Sequence, residues 1–241
     1  GNERGMRNRE TVWLSDHDKQ FIKDILIDED DELLVFDKPA GLPCQTRDVD
    51  DRTLDKLLWA FARSNGKRPR LVHRIDTETT GIVLAAKTQP AAAALSKAFE
   101  DRQMKKTYLA LVEGNAKRLT RVESPIGTVK LSDGAIISGI GGQPGVKNTK
   151  DAVTRFRCIS AGDKMSLVEC RPESGRMHQI RVHLAHAGFP ILGDDMYGNP
   201  GSAARLMLHA MRLQGPHPIG GNFDYSAPVP DDFEAVFPTD Q

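Results

Sequence analysis

Apolar and polar positions divide this chain into segments of different period. Residues 33–37 (LLVFD) are a short apolar run closed by Lys38-Pro39-Ala40-Gly41, which predicts a strand ending in a turn. In 54–64, Leu54, Leu57, Leu58 and Phe61 recur at helical spacing, with Thr53 as a cap before them and Gly66 as a stop after them. Residues 81–87 (GIVLAAK) predict a buried strand, 90–102 an Ala-rich helix capped by Thr88, and 107–113 (TYLALVE) an alternating strand. An antiparallel pair is expected from 153–159 and 165–171 around Ala161-Gly162-Asp163. The pattern of 177–187 is helical, and Gly188 suits a left-handed stop. Beyond Pro190, turns and short strands are expected. The sum is an α+β fold, a mixed and mainly antiparallel sheet flanked by helices, without the βαβα alternation of a doubly wound protein.

No repeat or low-complexity linker divides the 241 residues, so one domain is expected over 25–241, after an N-terminal extension, 1–24. Residues 1–10 are polar and charged, unlike a signal peptide, and no apolar run approaches the roughly 18 residues of a membrane helix. Cys44, Cys158 and Cys170 are too few, and odd in number, for a disulfide scaffold; they fit a reducing cytoplasm. No CxxC pair offers a thiolate zinc site. With no long amphipathic stripe left over, a monomer is expected. The glycine-rich 139–147 (GIGGQPGVK) lacks the P-loop spacing and reads as a hairpin or mobile loop.

Net charge is zero, which counts against an RNA binder that works by bulk charge alone. The charge is unevenly spread, however. Residues 28–32 (DEDDE) and 48–51 (DVDD) are acidic, whereas 63–74 (RSNGKRPRLVHR) holds five Arg or Lys and no acid. Arg102, Lys105 and Lys106 form a second basic cluster. Such runs are usually solvated faces. The first, though, leads directly into the most informative stretch, 71–87 (LVHRIDTETTGIVLAAK), a polar loop entering a core strand. A loop so placed holds side chains at the rim of a sheet. Taken alone, Asp76 reads as a turn-former or cap.

His73-Arg74-Ile75-Asp76-Thr77-Glu78-Thr79-Thr80-Gly81 resembles the signature of the RluA-type pseudouridine synthases. The block 37–43 (DKPAGLP) is similar to that family's N-terminal block, and 175–198 (GRMHQIRVHLAHAGFPILGDDMYG) to its C-terminal active-site block. The runs 106–110 (KTYLA) and 206–210 (LMLHA), with Ala227-Pro228, also fit. The resemblance implies a pseudouridine synthase fold with a bent sheet and a central RNA-binding cleft. It also implies an RNA isomerase that converts the C1′–N1 bond of selected uridines to C1′–C5, with Asp76 as the catalytic carboxylate. Attack at C1′, attack at C6 and deprotonation of C2′ all stay open. Each needs an ionised acid in a largely dry pocket, where burial alone would raise its pKa.

Arg181 matches the family's cation beside that acid. On a helical wheel it falls at the edge of the stripe Met177, Ile180, Leu184, Ala187, next to Met177, where a guanidinium is half buried; the bland alternative is a snorkelling surface Arg. Tyr108 matches the active-site tyrosine, able to stack on the uracil. Arg74 is the expected intruder that holds the RNA open around a flipped base, and His73 is a further substrate contact. Arg63, Lys67, Arg68, Arg70, Lys105 and Lys106 are candidate phosphate contacts. The expected partner is structured RNA, an rRNA or tRNA stem-loop. No cofactor is expected, because the isomerisation is redox-neutral. Members of the family often carry an S4 domain; about 30 residues before the first block are too few for one, which leaves the choice of RNA open.

Two rival readings fit the residues less well. His178 and His183 lie roughly 140° apart on a wheel and do not readily share a metal, and His183 with His186 lacks an obvious third ligand. A non-catalytic RNA binder on the same scaffold would have no use for Asp76, Tyr108 and Arg181 together.

Overall fold

A computed structural model describes residues 12–237; residues 1–11 and 238–241, and with them the polar start and the last residues of the expected domain, lie outside the described residues. Among the described residues the strands are β1 (Leu26–Glu29), β2 (Leu33–Lys38), β3 (Arg70–Leu71), β4 (Thr80–Ala86), β5 (Lys105–Glu113), β6 (Arg121–Val122) and β7 (Ile126–Lys130), then β8 (Ile136–Ile140), β9 (Lys147–Lys150), β10 (Thr154–Ala161), β11 (Met165–Pro172), β12 (Leu208–Pro216) and β13 (Asn222–Ser226). The helices are α1 (Asp16–Asp24), α2 (Leu54–Leu57), α3 (Gln89–Glu100), α4 (Gln179–His186) and α5 (Asp231–Val236).

Ten strands form one sheet in the order β1-β2-β4-β12-β5-β11-β10-β6, with β3 added beside β4 and β13 beside β12. Its pairings are antiparallel, except that β4 runs parallel to β12. The small second sheet has the order β8-β7-β9.

The centre of the large sheet is covered on both faces, which is why β2 and β4 read as unbroken apolar runs. Leu34, Phe36, Val83 and Ala85 face the core beneath α1 and α2. Leu33, Val35, Ile82, Leu84 and Ala86 face the other side, against Ala91, Leu95 and Ala98 of α3. Each fully buried Leu or Phe there contributes about 1.5–3 kcal/mol. α3 starts where expected, with Thr88 Oγ1 accepting from Ala91 N–H at 3.2 Å.

Several expectations need correction. Thr53 does cap α2, accepting from Lys56 N–H at 3.1 Å, but the helix expected to 64 tightens to a 3₁₀ turn over Leu58–Phe61. There Arg63 N–H bonds to Lys67 O and folds the basic run back on itself. α4 begins at Gln179, not 177, because His178 is left-handed (φ 55°). Met177 therefore falls outside the helix and is exposed instead of joining the apolar stripe. Residues 139–147 are no hairpin, since β8 and β9 lie on opposite sides of β7. β12, nine residues long and central, was expected only as turns and short strands; its Arg212, Gln214, Gly215 and Pro216 break the apolar pattern. Within the expected extension, α1 buries Ile22 in the core shared with Leu34 and Phe36.

Candidate active site

The loop between β3 and β4 is fixed from below. The His73 ring stacks on Phe99 at 4.6 Å, and its Nε2 accepts the Leu84 N–H at 2.9 Å. Burial pushes its pKa down to about 3, so the ring stays neutral and can accept. Lys38, fully buried, donates from Nζ to Pro39 O at 2.8 Å and Thr77 O at 2.9 Å. Gly41 N–H also donates to Thr77 O, at 2.9 Å. The block 37–43 thus serves as the cradle of the Asp76 loop. Thr79 N–H closes the loop on Asp76 O at 3.0 Å. Where the loop enters β4, Thr80 Oγ1 meets His209 Nδ1 at 2.8 Å, and Gly81 lies against Ala210 so closely that a Cβ would overlap that residue's backbone. Arg205 ties the junction together: Nη2 donates to Thr80 Oγ1 at 3.4 Å, Nη1 to Leu206 O at 2.8 Å, and Nε to Asp232 Oδ2 at 2.6 Å.

The opposite wall is the start of α4. Gln179 is buried and pins the preceding turn: its Oε1 accepts from Ser174 Oγ at 2.6 Å and Arg176 N–H at 3.1 Å, and its Nε2 donates to Val153 O at 3.0 Å. Two residues on, Arg181 is buried and donates to both oxygens of Asp194, at 3.0 and 2.8 Å. Its third nitrogen, Nη1, lies 3.4 Å from Asp76 Oδ2. Burial pushes the Asp194 pKa up, but the hydrogen bonds and charge of Arg181 outweigh it, so the carboxyl ends below its usual range. The guanidinium also lies over the Tyr197 ring, 5.2 Å from its centre.

His178 faces the other oxygen of Asp76, with Nε2 3.7 Å from Oδ1. Ser138 N–H donates to the Tyr197 hydroxyl at 2.9 Å, and the same hydroxyl lies 2.6 Å from His178 Nδ1. Burial lowers the His178 pKa, which favours the neutral ring. Ser138 Oγ also donates to Met177 O. The small sheet, through β8, therefore grips the left-handed turn that aims His178.

Asp76, Arg74, Tyr108, Lys106, His178 and Arg181 line one cleft of about 1140 Å³. Tyr108 packs its ring between two core clusters, and burial first, then the Asp76 charge, pushes its pKa up.

Residues 32–186 match the RNA pseudouridylate synthase family. The chain is 36% identical over 232 residues to ribosomal large subunit pseudouridine synthase D of Zymomonas mobilis, covering 88% of this chain and 71% of that one. This chain belongs to the RNA pseudouridylate synthase family. The corresponding protein of Nitrosomonas europaea is 35% identical over 234 residues, 91% of this chain and 66% of that one. The structure of human RNA pseudouridylate synthase domain containing 1 superposes with a TM-score of 0.73 at 30% identity, over 88% of this chain and 86% of that one.

Not every residue expected at the site of this pseudouridine synthase lies there. Arg63, Lys67, Arg68 and Arg70 line a separate concavity; Arg68 is paired with Asp55 at 3.1 Å and lies over Trp59. Lys105 is exposed at the start of β5. Lys106 reaches the cleft but donates to Ser174 O at 3.2 Å, and burial pushes its pKa down to about 8. His73 is held by the scaffold as described, and His183, weighed as a metal ligand, is bonded to Thr154 Oγ1 at 2.7 Å and Ser124 O at 2.8 Å. Sequence reasoning missed Asp194, His178, Tyr197, Lys38 and Arg205. One signal was available for Asp194: an Arg buried on a helix needs more than one acid, and Asp194-Asp195 follow in the same block.

Proposed function

We propose that this pseudouridine synthase isomerises specific uridines in ribosomal RNA with Asp76 as its catalytic carboxylate. The reading rests on one observation: an acid held by a buried, doubly anchored arginine at the wall of a cleft that accommodates a flipped nucleoside. Asp76 acts on the ribose or the ring, C1′–N1 breaks, uracil turns, and C1′–C5 forms; the proton lost from C5 goes to N1, so nothing is gained or lost overall. Arg181 sets its guanidinium 3.4 Å from the Asp76 carboxylate, in a site that becomes dry when RNA fills it. Tyr108 offers its ring to the uracil, and Arg74, exposed at the rim, takes the place of the flipped base in the stack. Ribosomal RNA is favoured over tRNA by the names of the two bacterial relatives.

The test is Asp76→Asn. Turnover of unmodified large-subunit rRNA should vanish while RNA affinity stays within a few-fold, and pseudouridine mapping of total RNA with and without the gene should show the missing site. Normal turnover by the variant would end this reading.

A further inference from the structure

We propose that the basic concavity at the far end of β4 is a second RNA-contact surface, an anchor for the strand that flanks the target uridine. The proposal rests on the RNA reading above and extends it to substrate length. The concavity has a volume of about 720 Å³ and is lined by Lys56, Arg63, Lys67, Arg68, Arg70 and Lys87, around Trp59, with no carboxylate in its lining. Three of these cations are spoken for. Arg68 is paired with Asp55, Lys87 with Glu29 at 3.2 Å, and Lys56 donates to the carbonyls of the loop at 48–51. Arg63, Lys67 and Arg70 are exposed and make no ion pair among the described residues. Three uncompensated positive charges around one hollow repel each other, and a polyanion relieves that repulsion.

Its position relative to Asp76 can be measured along two elements. Arg70 pairs with Ala86 at the end of β4, and from Ala86 back to Thr80, where the Asp76 loop enters the strand, β4 runs six residue steps, or ~20 Å at about 3.3 Å per residue. α3 gives the same answer: Thr88, Gln89 and Pro90 at its start line the concavity, Phe99 and Glu100 at its end line the cleft, and twelve residues at 1.5 Å each span ~18 Å. A stacked strand advances about 3.4 Å per nucleotide, so the anchor sits roughly six nucleotides from the reacting uridine. RNA suits this surface better than an acidic peptide because a substrate seated in the cleft must leave it as a continuous polyanion, and this hollow lies along the same strand. The indole of Trp59 adds a flat surface beside the charges.

The test compares two hairpin transcripts of unmodified large-subunit rRNA with the same loop, one with a stem reaching well beyond 20 Å and one too short to do so. For the triple variant R63A/K67A/R70A, affinity for the long hairpin should fall about tenfold and the slope of log K against log salt should shrink by ~2–3, as for three lost phosphate contacts. Binding of the short hairpin and its kcat should not change. The triple variant R63K/K67R/R70K, which keeps the charge, should behave as wild type. Arg74→Ala, at the cleft itself, should weaken both RNAs. Equal losses on the two hairpins, an unchanged salt slope with the long one, or competition by polyglutamate as effective as by RNA of equal charge would overturn the anchor. If the length-dependent loss appears but wild type isomerises no uridine, the anchor stands and the proposed activity falls.

Discussion

Arg181 and Asp194 meet at the base of the cleft through two hydrogen bonds, Nε to Oδ2 at 3.0 Å and Nη2 to Oδ1 at 2.8 Å, and this fixes where the third nitrogen can go. That nitrogen reaches Asp76. Asp194 is itself held by the N–H groups of Met196 and Tyr197 at 3.0 and 3.1 Å. The arginine is therefore aimed before any substrate arrives.

Asp194→Asn should cost about 3–5 kcal/mol of stability, because it leaves a buried guanidinium with half its partner charge gone. Urea unfolding reads the loss directly. Any folded fraction should also turn over more slowly, since Arg181 is freed to swing off Asp76. A variant with wild-type stability and rate would show that the pair does not orient the site.

Tyr197→Phe removes the hydroxyl that accepts from Ser138 N–H and hydrogen-bonds His178 Nδ1. The loss of one hydrogen bond of about 1–1.5 kcal/mol corresponds to roughly a tenfold fall in kcat, with KM for RNA little moved. Single-turnover kinetics separate the two. A change confined to KM would mean that His178 meets the RNA and does not act through Asp76.

Lys38 gives a pH signature. Burial holds its pKa down at about 8 instead of the ordinary 10.5. Between those values the unfolded chain keeps the proton and the folded one releases it, so the unfolded state binds more protons and stability rises with pH. Below about 8 both states are protonated, and the full penalty of the buried charge applies. Relative to Lys38→Met, wild type should gain on the order of 3 kcal/mol as pH rises from about 8 to about 10.5. Denaturant titrations of both proteins across that window test it; a flat difference would show that the buried amine is not strained.

Thr79 buries a hydroxyl that has no hydrogen-bond partner among the described residues. Thr79→Val, which keeps the shape and drops the orphan group, should be neutral or stabilising by about 1 kcal/mol. A clear fall in Tm would reveal an ordered water on that oxygen.

Much of this was written in the local pattern, and what was not has a common physical cause. β4, β5, the β10–β11 pair and both threonine caps follow from period and turn chemistry over a few residues. The Asp76 loop was visible only through its motif, because an Asp after an apolar residue has no distinctive local signature. β12 escaped because a central strand with covered faces and a Gly-Pro end does not alternate. Asp194 and Lys38 escaped for a different reason: their roles depend on partners 13 and 39 residues away, and the period of a helix or strand says nothing of such a bond. The basic run was legible as charge, but its placement was not, since the fold-back at Arg63 turns it toward the far end of α3.

β12 has one more consequence. It is inserted between β4 and β5, strands that precede it by about a hundred residues. While the protein is being made, those two strands wait with facing edges bare, and neither has a neighbour in sequence that could cover them. Assembly of the platform under Thr80 and Gly81 is thus a late event, completed only once residue 216 is available. The newborn chain is at its most adhesive just before that moment, and a fragment ending ahead of residue 208 should collect in inclusion bodies instead of folding in part.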